Sequence, residues 1–180
     1  MTVPVDEKLV DDARAGSVEA LERLLESVWP DAYRIAYSIV RDRAAAEDAA
    51  QESCATVYGS ISTLRTAGAF RVWFYRIVAR EALRQAGSSA SQTAQAAEQV
   101  PPDRESRLDI SRALDTLSPE LRAAVVLHYY ADLTSREISE VLGVAAPTVR
   151  FRLMLARRKL KPLLFECFPV HPPQCAKESL

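Results

Sequence analysis

Between Pro147 and Lys161 the chain carries six cations (Arg150, Arg152, Arg157, Arg158, Lys159, Lys161) and no acid. Charge of one sign at that density repels itself unless a polyanion answers it, and nucleic acid is such a partner. On a helical wheel Val149, Leu153, Ala156 and Leu160 form one apolar stripe. Arg150, Phe151, Met154, Arg158 and Lys161 fall roughly opposite, with Arg157 at the flank. Complementing a helix dipole would explain cations in the last turn only, and Arg150 and Arg152 stand in the first. A second basic group lies earlier in the chain. Arg76, Arg80 and Arg84 recur at i, i+4, i+8 with Trp73 on their border, and Arg65 to Arg84 holds five arginines against one acid, Glu81. Arginines beside an aromatic ring suit single-stranded DNA, whose unstacked bases lie on rings while cations hold the phosphates.

Other chemistry-bearing residues lead nowhere comparable. Cys167, His171 and Cys175 form C-x₃-H-x₃-C, which is three metal-ligand types with no fourth nearby, so no metal or other cofactor is expected. Cys54 reads as a buried structural thiol and His128 as a helix-surface or core histidine. There is no Gly-rich phosphate loop, nucleophile–base pair or carboxylate dyad, so the chain is not expected to be an enzyme.

The elements that position these groups read as all-α. Leu9, Val10 and Ala13 share a first helical face; after Gly16-Ser17 a stripe runs through Val18, Leu21, Leu24, Leu25 and Val28. Pro30 is expected to stop that helix and Asp31 to cap a third, bearing Ile35, Ala36, Ile39 and Val40. A fourth helix is predicted from about Ala44 to Tyr58, a turn-like stretch from Ser60 to Gly68, and a fifth helix from about Ala69 to Gln85. Composition then shifts: residues 86–102 read AGSSASQTAQAAEQVPP, with one charge and almost no large apolar residue. The expected organisation is two small helical domains, 1–85 and 108–164, joined by a flexible linker over 86–107, with an irregular proline-rich tail over 165–180. In the second domain, helices are predicted from Leu108 to Leu117, from Ser118-Pro119 to Tyr130, from Ser135 to Leu142 and from about Ala146 to Pro162.

The last two of these form a helix-turn-helix. Thr134 with Glu137 three residues on is a capping box, Leu133 with Ile138 a hydrophobic staple, and Gly143 supplies a left-handed residue for a sharp turn. That geometry seats a second helix in a DNA major groove. The formal net charge of −1 hides a segregated distribution: up to Leu64 there are twelve acids and six cations, and the basic residues gather afterwards. No apolar run is long enough for a membrane helix, and the first twelve residues lack the hydrophobic block of a signal peptide, so a cytoplasmic location without membrane insertion is expected.

Three segments together carry a family resemblance. AEDAAQESCATVY (Ala46 to Tyr58) resembles the polymerase-binding helix of extracytoplasmic-function sigma factors. AFRVWFYRIVAREAL (Ala69 to Leu83) is similar to their promoter-melting helix, and LTSREISEVLGVAAPTVRFRLMLARRKL (Leu133 to Leu160) to the helix-turn-helix that reads the −35 element. The motifs stand in the family's order on either side of a linker and cover nearly all of Val5 to Leu164.

The resemblance implies a non-catalytic subunit that directs RNA polymerase core to particular promoters and assists their opening. It implies that Asp48, Gln51 and Glu52 contact a coiled coil on the largest polymerase subunits, β′ and β. Bases flipped from the −10 element as single-stranded DNA would meet Ser62 and Arg65 in the loop and Trp73, Arg76, Arg80 and Arg84 on the helix. The −35 duplex would meet Arg150, Phe151 and Met154, with Thr134, Thr148, Arg152, Arg157 and Arg158 around them. An anti-sigma factor is a further implied partner. Relatives usually have a Ser-like cap near Ala145, glycine near Pro147, a polar residue at Leu155 and asparagine at Arg80, so base preference does not transfer.

The competing reading is a stand-alone helix-turn-helix regulator that binds duplex DNA as a dimer on a palindrome. A third is a helical adaptor whose basic faces bind acidic proteins. Limited proteolysis of the free protein is expected to cut within Ala86 to Pro102 and release two folded fragments, because that composition cannot bury enough apolar surface to offset the entropy of ordering. Cleavage starting inside either helical block would contradict this division of the chain.

Overall fold

The computed structural model describes residues 5–89 and 111–164. Four helices build the first block: α1 (Glu7–Arg14), α2 (Val18–Val40), α3 (Arg43–Ser60) and α4 (Phe70–Ser89). Three more follow a short helical segment at 111–115: α5 (Pro119–Tyr129), α6 (Ser135–Leu142) and α7 (Ala146–Leu164). Most of the starts are written locally. Asp6, Ser17 and Asp42 each accept a backbone N–H of the first turn they precede, and Pro119 sits where a missing N–H costs nothing.

Two boundaries differ from expectation. Pro30 does not end a helix: α2 runs unbroken from Val18 to Val40 with the proline inside it and exposed. A proline in a helix interior costs about 3 kcal/mol. Against this, Leu24, Val28, Ala32, Ile35, Ala36 and Ile39 stay in phase on one buried face. Full burial of a large aliphatic side chain is worth about 1.5–3 kcal/mol, so the stripe outweighs the break. Asp31 is consequently not a cap but a buried carboxylate within the helix. The second difference is at α4, which continues to Ser89 with Ala86 buried, so Ala86–Ser89 belongs to the helix and not to the linker. The rest of the expected linker up to residue 107, the expected helix start at Leu108 and the tail with Cys167, His171 and Cys175 lie outside the described residues, apart from 111–115, which are helical.

In the first block α2, α3 and α4 pack mutually, and α1 lies on α2 and against the two short 3₁₀ turns (Ile61–Thr63 and Ala67–Ala69) between α3 and α4. In the second, α7 packs on α5 and α6. The two blocks are not separate bodies: α5 packs on α2 and α4, α6 packs on α4, and one apolar cluster runs from Val10 to Ala156. Seven consecutive residues of α5, Leu121 to Leu127, are buried, so that helix is covered on every side. No described helix is long and apolar enough to cross a membrane.

The helix-turn-helix follows the sequence closely. Thr134 Oγ1 accepts the Glu137 N–H while Glu137 Oε2 accepts the Thr134 N–H at 2.8 Å, which closes the capping box. Gly143 has φ +65° and ends α6. A Cβ there would meet nothing within 4 Å, so substitution is opposed by backbone strain alone. Gly143→Ala is expected to destabilise the protein by about 1 kcal/mol in denaturant unfolding, and Gly143→Asn by less. Equal losses for both variants would place the cost in packing instead.

Candidate nucleic-acid interface

Helix α4 sets the first surface. At 100° per residue its buried positions, from Phe70 and Phe74 through Val78 to Tyr75, Ala79, Ala82 and Ala86, sweep about half the circumference. The arc left over carries Arg76, Arg80 and Arg84, all exposed. Trp73 lies on that same arc, half-buried, with its ring centroid 6.0 Å from that of Phe70. Its indole is therefore backed by core on one side while its edge belongs to the basic ridge. Arg84 also bonds Glu81 at 2.8 Å. That carboxylate, with Glu52 beyond it, holds the guanidinium more firmly protonated than usual.

The loop ahead of α4 is pinned from below. Ile61, Leu64 and Ala67 are buried, while Ser62 and Arg65 between them face solvent. From α1, the Arg14 guanidinium donates to the Leu64 carbonyl and to the Arg65 carbonyl, each at 2.8 Å. Asp11 steadies Arg14 in turn. The sequence reading missed Arg14. A lone arginine in an acidic helix gives no signal that its target lies fifty residues on.

On α3 the buried residues are Ala46, Ala49, Ala50, Ser53 and Val57. Small alanines let this helix lie close to α2 and α4, and the opposite face presents Asp48, Gln51 and Glu52 to solvent together. Tyr58 is 61% exposed on the same helix. Cys54 is half-buried rather than buried as expected, and burial pushes its thiol up.

On α7 the packed face is Val149, Leu153 and Ala156, as the wheel indicates. Thr148, Arg150, Phe151, Met154 and Arg158 are exposed, the apolar Phe151 and Met154 at 59% and 55%. One of the expected cations is tethered sideways, and a second lies near a carboxylate. Arg157 donates to the Tyr129 hydroxyl at 2.8 Å with its guanidinium 5.7 Å from that ring's centroid. Arg152 is half-buried beside Glu120, whose carboxyl is held below the usual range by the Ser118 hydroxyl, its own backbone N–H and Arg152. Thr134 is exposed, with its hydroxyl engaged in the cap of α6. The half-buried His128 takes a structural role, its Nδ1 3.0 Å from the Leu133 carbonyl.

Thus the described residues hold two exposed basic surfaces, one with an indole at its edge and one with protruding apolar side chains, and a separate acidic face on α3. Among them no group of His, Cys, Asp and Glu is placed to hold a metal.

Comparison with known proteins finds two family matches along the chain. The family Sigma-70 region 2 matches residues 24–91, and Sigma-70, region 4 matches residues 107–160. The ECF RNA polymerase sigma factor SigM of Mycobacterium tuberculosis (strain Erdman) is 30% identical over 156 residues, covering 83% of this chain and 80% of that protein. The RNA polymerase sigma factor SigV of Bacillus subtilis is 28% identical over 137 residues, 73% of this chain and 82% of that protein. Among solved structures, CnrH in complex with the cytosolic domain of CnrY superposes with a TM-score of 0.67 at 22% identity, over 91% of this chain and 99% of that one. The sigma factor RpoE in complex with the anti-sigma factor NepR from Bartonella quintana gives a TM-score of 0.69 at 21% identity, over 84% and 100%.

Proposed function

The chain belongs to the extracytoplasmic-function sigma factors of the sigma-70 family, proteins that direct RNA polymerase to promoters, and on that premise we propose how its surfaces divide the work. The acidic face of α3, with Asp48, Gln51 and Glu52, docks on a coiled coil of the β′ and β subunits of core polymerase. The observation behind this is an exposed acidic strip on a helix whose other side is packed by alanine. The cytoplasm, where core polymerase works, is the place of action.

The pinned loop and the α4 ridge engage the −10 element once its strands part. Ser62 and Arg65 stand on a loop held by three buried anchors and by Arg14, so the donors are preorganised toward an extruded base. Extrusion costs a few kcal/mol, and stacking on an aromatic returns about 1–3 kcal/mol per base. Trp73 suits that role because the core behind it fixes its ring. Arg76, Arg80 and Arg84 hold phosphates.

Helix α7 enters the major groove of the −35 duplex. Phe151 and Met154 supply apolar contact for thymine methyls and Arg150 the fork for a guanine edge. Thr148, Arg152 and Arg158 take phosphates, as does Arg157 once it leaves Tyr129, while Thr134 presents the start of α6 to the backbone. The geometry of that surface supports the reading better than a dimeric regulator's would, because a basic melting ridge on α4 has no task in duplex-only binding. A partner that restrains the protein, of the kind NepR is for RpoE, is part of the same proposal.

Asp48→Arg with Glu52→Arg is expected to abolish binding to core polymerase in a pull-down while leaving circular dichroism unchanged. Undiminished binding would remove α3 as the contact. The two DNA surfaces are expected to fail differently. Arg150→Ala or Phe151→Ala should weaken selection of the −35 duplex by about 1–3 kcal/mol. Trp73→Ala, Arg80→Ala or the loop-freeing Arg14→Ala should leave that docking nearly intact and impair strand opening. Permanganate footprinting of the melted region beside a duplex-binding assay on one promoter reads both. Normal opening with lost duplex binding in the Trp73 and Arg80 variants would mean that the roles are reversed.

A further inference from the structure

Helix α5 ends on His128 and Tyr129, and both turn toward one side chain of α7. Arg157 donates from Nε to the Tyr129 hydroxyl at 2.8 Å, and its Nη2 lies 3.4 Å from His128 Nε2. Its guanidinium carbon stands 5.7 Å from the centre of the Tyr129 ring. The bond that gives His128 its structural role also fixes the chemistry of its other nitrogen. The Leu133 carbonyl can only accept, so the neutral imidazole carries its hydrogen on Nδ1 and offers a lone pair at Nε2. The two rings meet edge to face with centroids 4.8 Å apart, which steadies both. One cation thus finds two acceptors and an aromatic ring at the end of a neighbouring helix.

The place of Arg157 on its own helix gives that arrangement meaning. Arg150, Met154, Arg157 and Lys161 recur at i, i+4, i+7 and i+11, one line along the exposed side of α7. The backbone of Arg157 therefore belongs to the line that faces DNA, while its head is drawn sideways to α5. A guanidinium has five N–H donors, and a phosphate competes for the same ones. To reach a phosphate, Arg157 gives up the Tyr129 and His128 acceptors, so what they supply is subtracted from what the phosphate contact adds. Tyr129 is 56% exposed, so this exchange takes place at the surface without rearranging the core.

We propose that His128 and Tyr129 are positioning residues of the −35 contact, which set through Arg157 how tightly α7 grips duplex DNA. The proposal rests on the reading of α7 as the −35 helix and gives a task to two residues of α5 which that reading leaves unused. On a duplex that lacks the element, α7 meets phosphate alone. Arg157 then stays on its rest, and the helix neutralises one phosphate fewer than its charge allows. On the −35 element, Arg150, Phe151 and Met154 seat the helix in the groove, and the line they share with Arg157 brings that arginine against the backbone. There the exchange goes to the phosphate. Weakening the rest therefore strengthens binding in both settings, and adds a phosphate to the count only where the element is absent.

Two binding series against salt test this, one of reconstituted holoenzyme on a −35 duplex and one of the full-length free protein on a duplex without the element. Tyr129→Phe keeps the ring and removes the acceptor, and should tighten the −35 duplex about threefold. On the other duplex it should steepen the fall of log affinity with log salt by about one, the mark of one further phosphate, while the −35 slope stays as it was. His128→Leu should act in the same direction. His128→Gln, whose amide oxygen can replace Nε2 as acceptor, should return the wild-type values. In an Arg157→Ala background Tyr129→Phe and His128→Leu should both be without effect, which a purely structural role of either residue would not give. Circular dichroism checks that each variant is folded, and the Arg157 Nε–H resonance, which should shift in Tyr129→Phe, checks that the bond is lost. Unchanged or weaker −35 binding by Tyr129→Phe, or tightening that persists without Arg157, would overturn the proposal. If Arg150→Ala left −35 selection intact, the reading of α7 would fail instead, and the salt slopes on the other duplex would still decide on the rest.

Discussion

Helix α4 is the constraint on which the rest depends, because it is asked to serve three neighbours at once. One arc packs on α2 and α3, a second on α5 and α6, and only the remaining arc reaches solvent. Its composition meets that demand. Phe70, Phe74 and Val78 fill the first block's core, while Ala79, Ala82 and Ala86 are small enough for another helix layer to approach closely. Since packing uses so much of the circumference, Arg76, Arg80 and Arg84 share the arc that is left to solvent, while Arg71 and Glu81 stand on the packed side. The basic ridge is thus a consequence of where the core lies.

Charge segregation follows from the same economy. A chain with a formal net charge of −1 has little long-range pull on nucleic acid as a whole. Distributed as it is here, the acids of α1 to α3 and the cations of α4 and α7 give separate faces of opposite sign on one small body. An acidic partner surface is repelled by one and attracted by the other, so a large assembly and DNA can be held at once without competing for the same side chains. At physiological salt the fields of such faces fade over about 8 Å, which keeps each recognition local.

Much of this was legible in the residues, for a reason that differs from place to place. The helix-turn-helix was readable because its signals are local: a Thr–Glu pair three apart, a glycine at a left-handed position and an apolar stripe of period 3.6. The exposed set on α7 was readable from the same period, although not that Arg157 would be drawn toward Tyr129, since that partner lies on another helix. Pro30 misled because proline's cost is local and the stripe that overrides it is long. Asp31 then carried the wrong meaning: a polar residue after a proline looks like a cap, while its actual partner is Tyr130, ninety-nine positions on. The meeting of the two blocks was invisible for the same reason. Its one trace in the sequence is Arg122, set near the start of an otherwise apolar run on α5, which is what a helix covered on all sides looks like when one charge is enclosed with it.

The sigma-factor account makes the chain a specificity subunit rather than a DNA-binding protein in its own right. Run-off transcription on genomic fragments from the organism that carries the gene, with core polymerase in the presence and absence of this protein, tests that most directly. The account predicts a discrete set of new start sites that appear only when both are present, with little sequence-selective DNA binding by the protein alone. Tight, palindrome-selective binding by the protein alone, with no new start sites upon adding it to core polymerase, would contradict it.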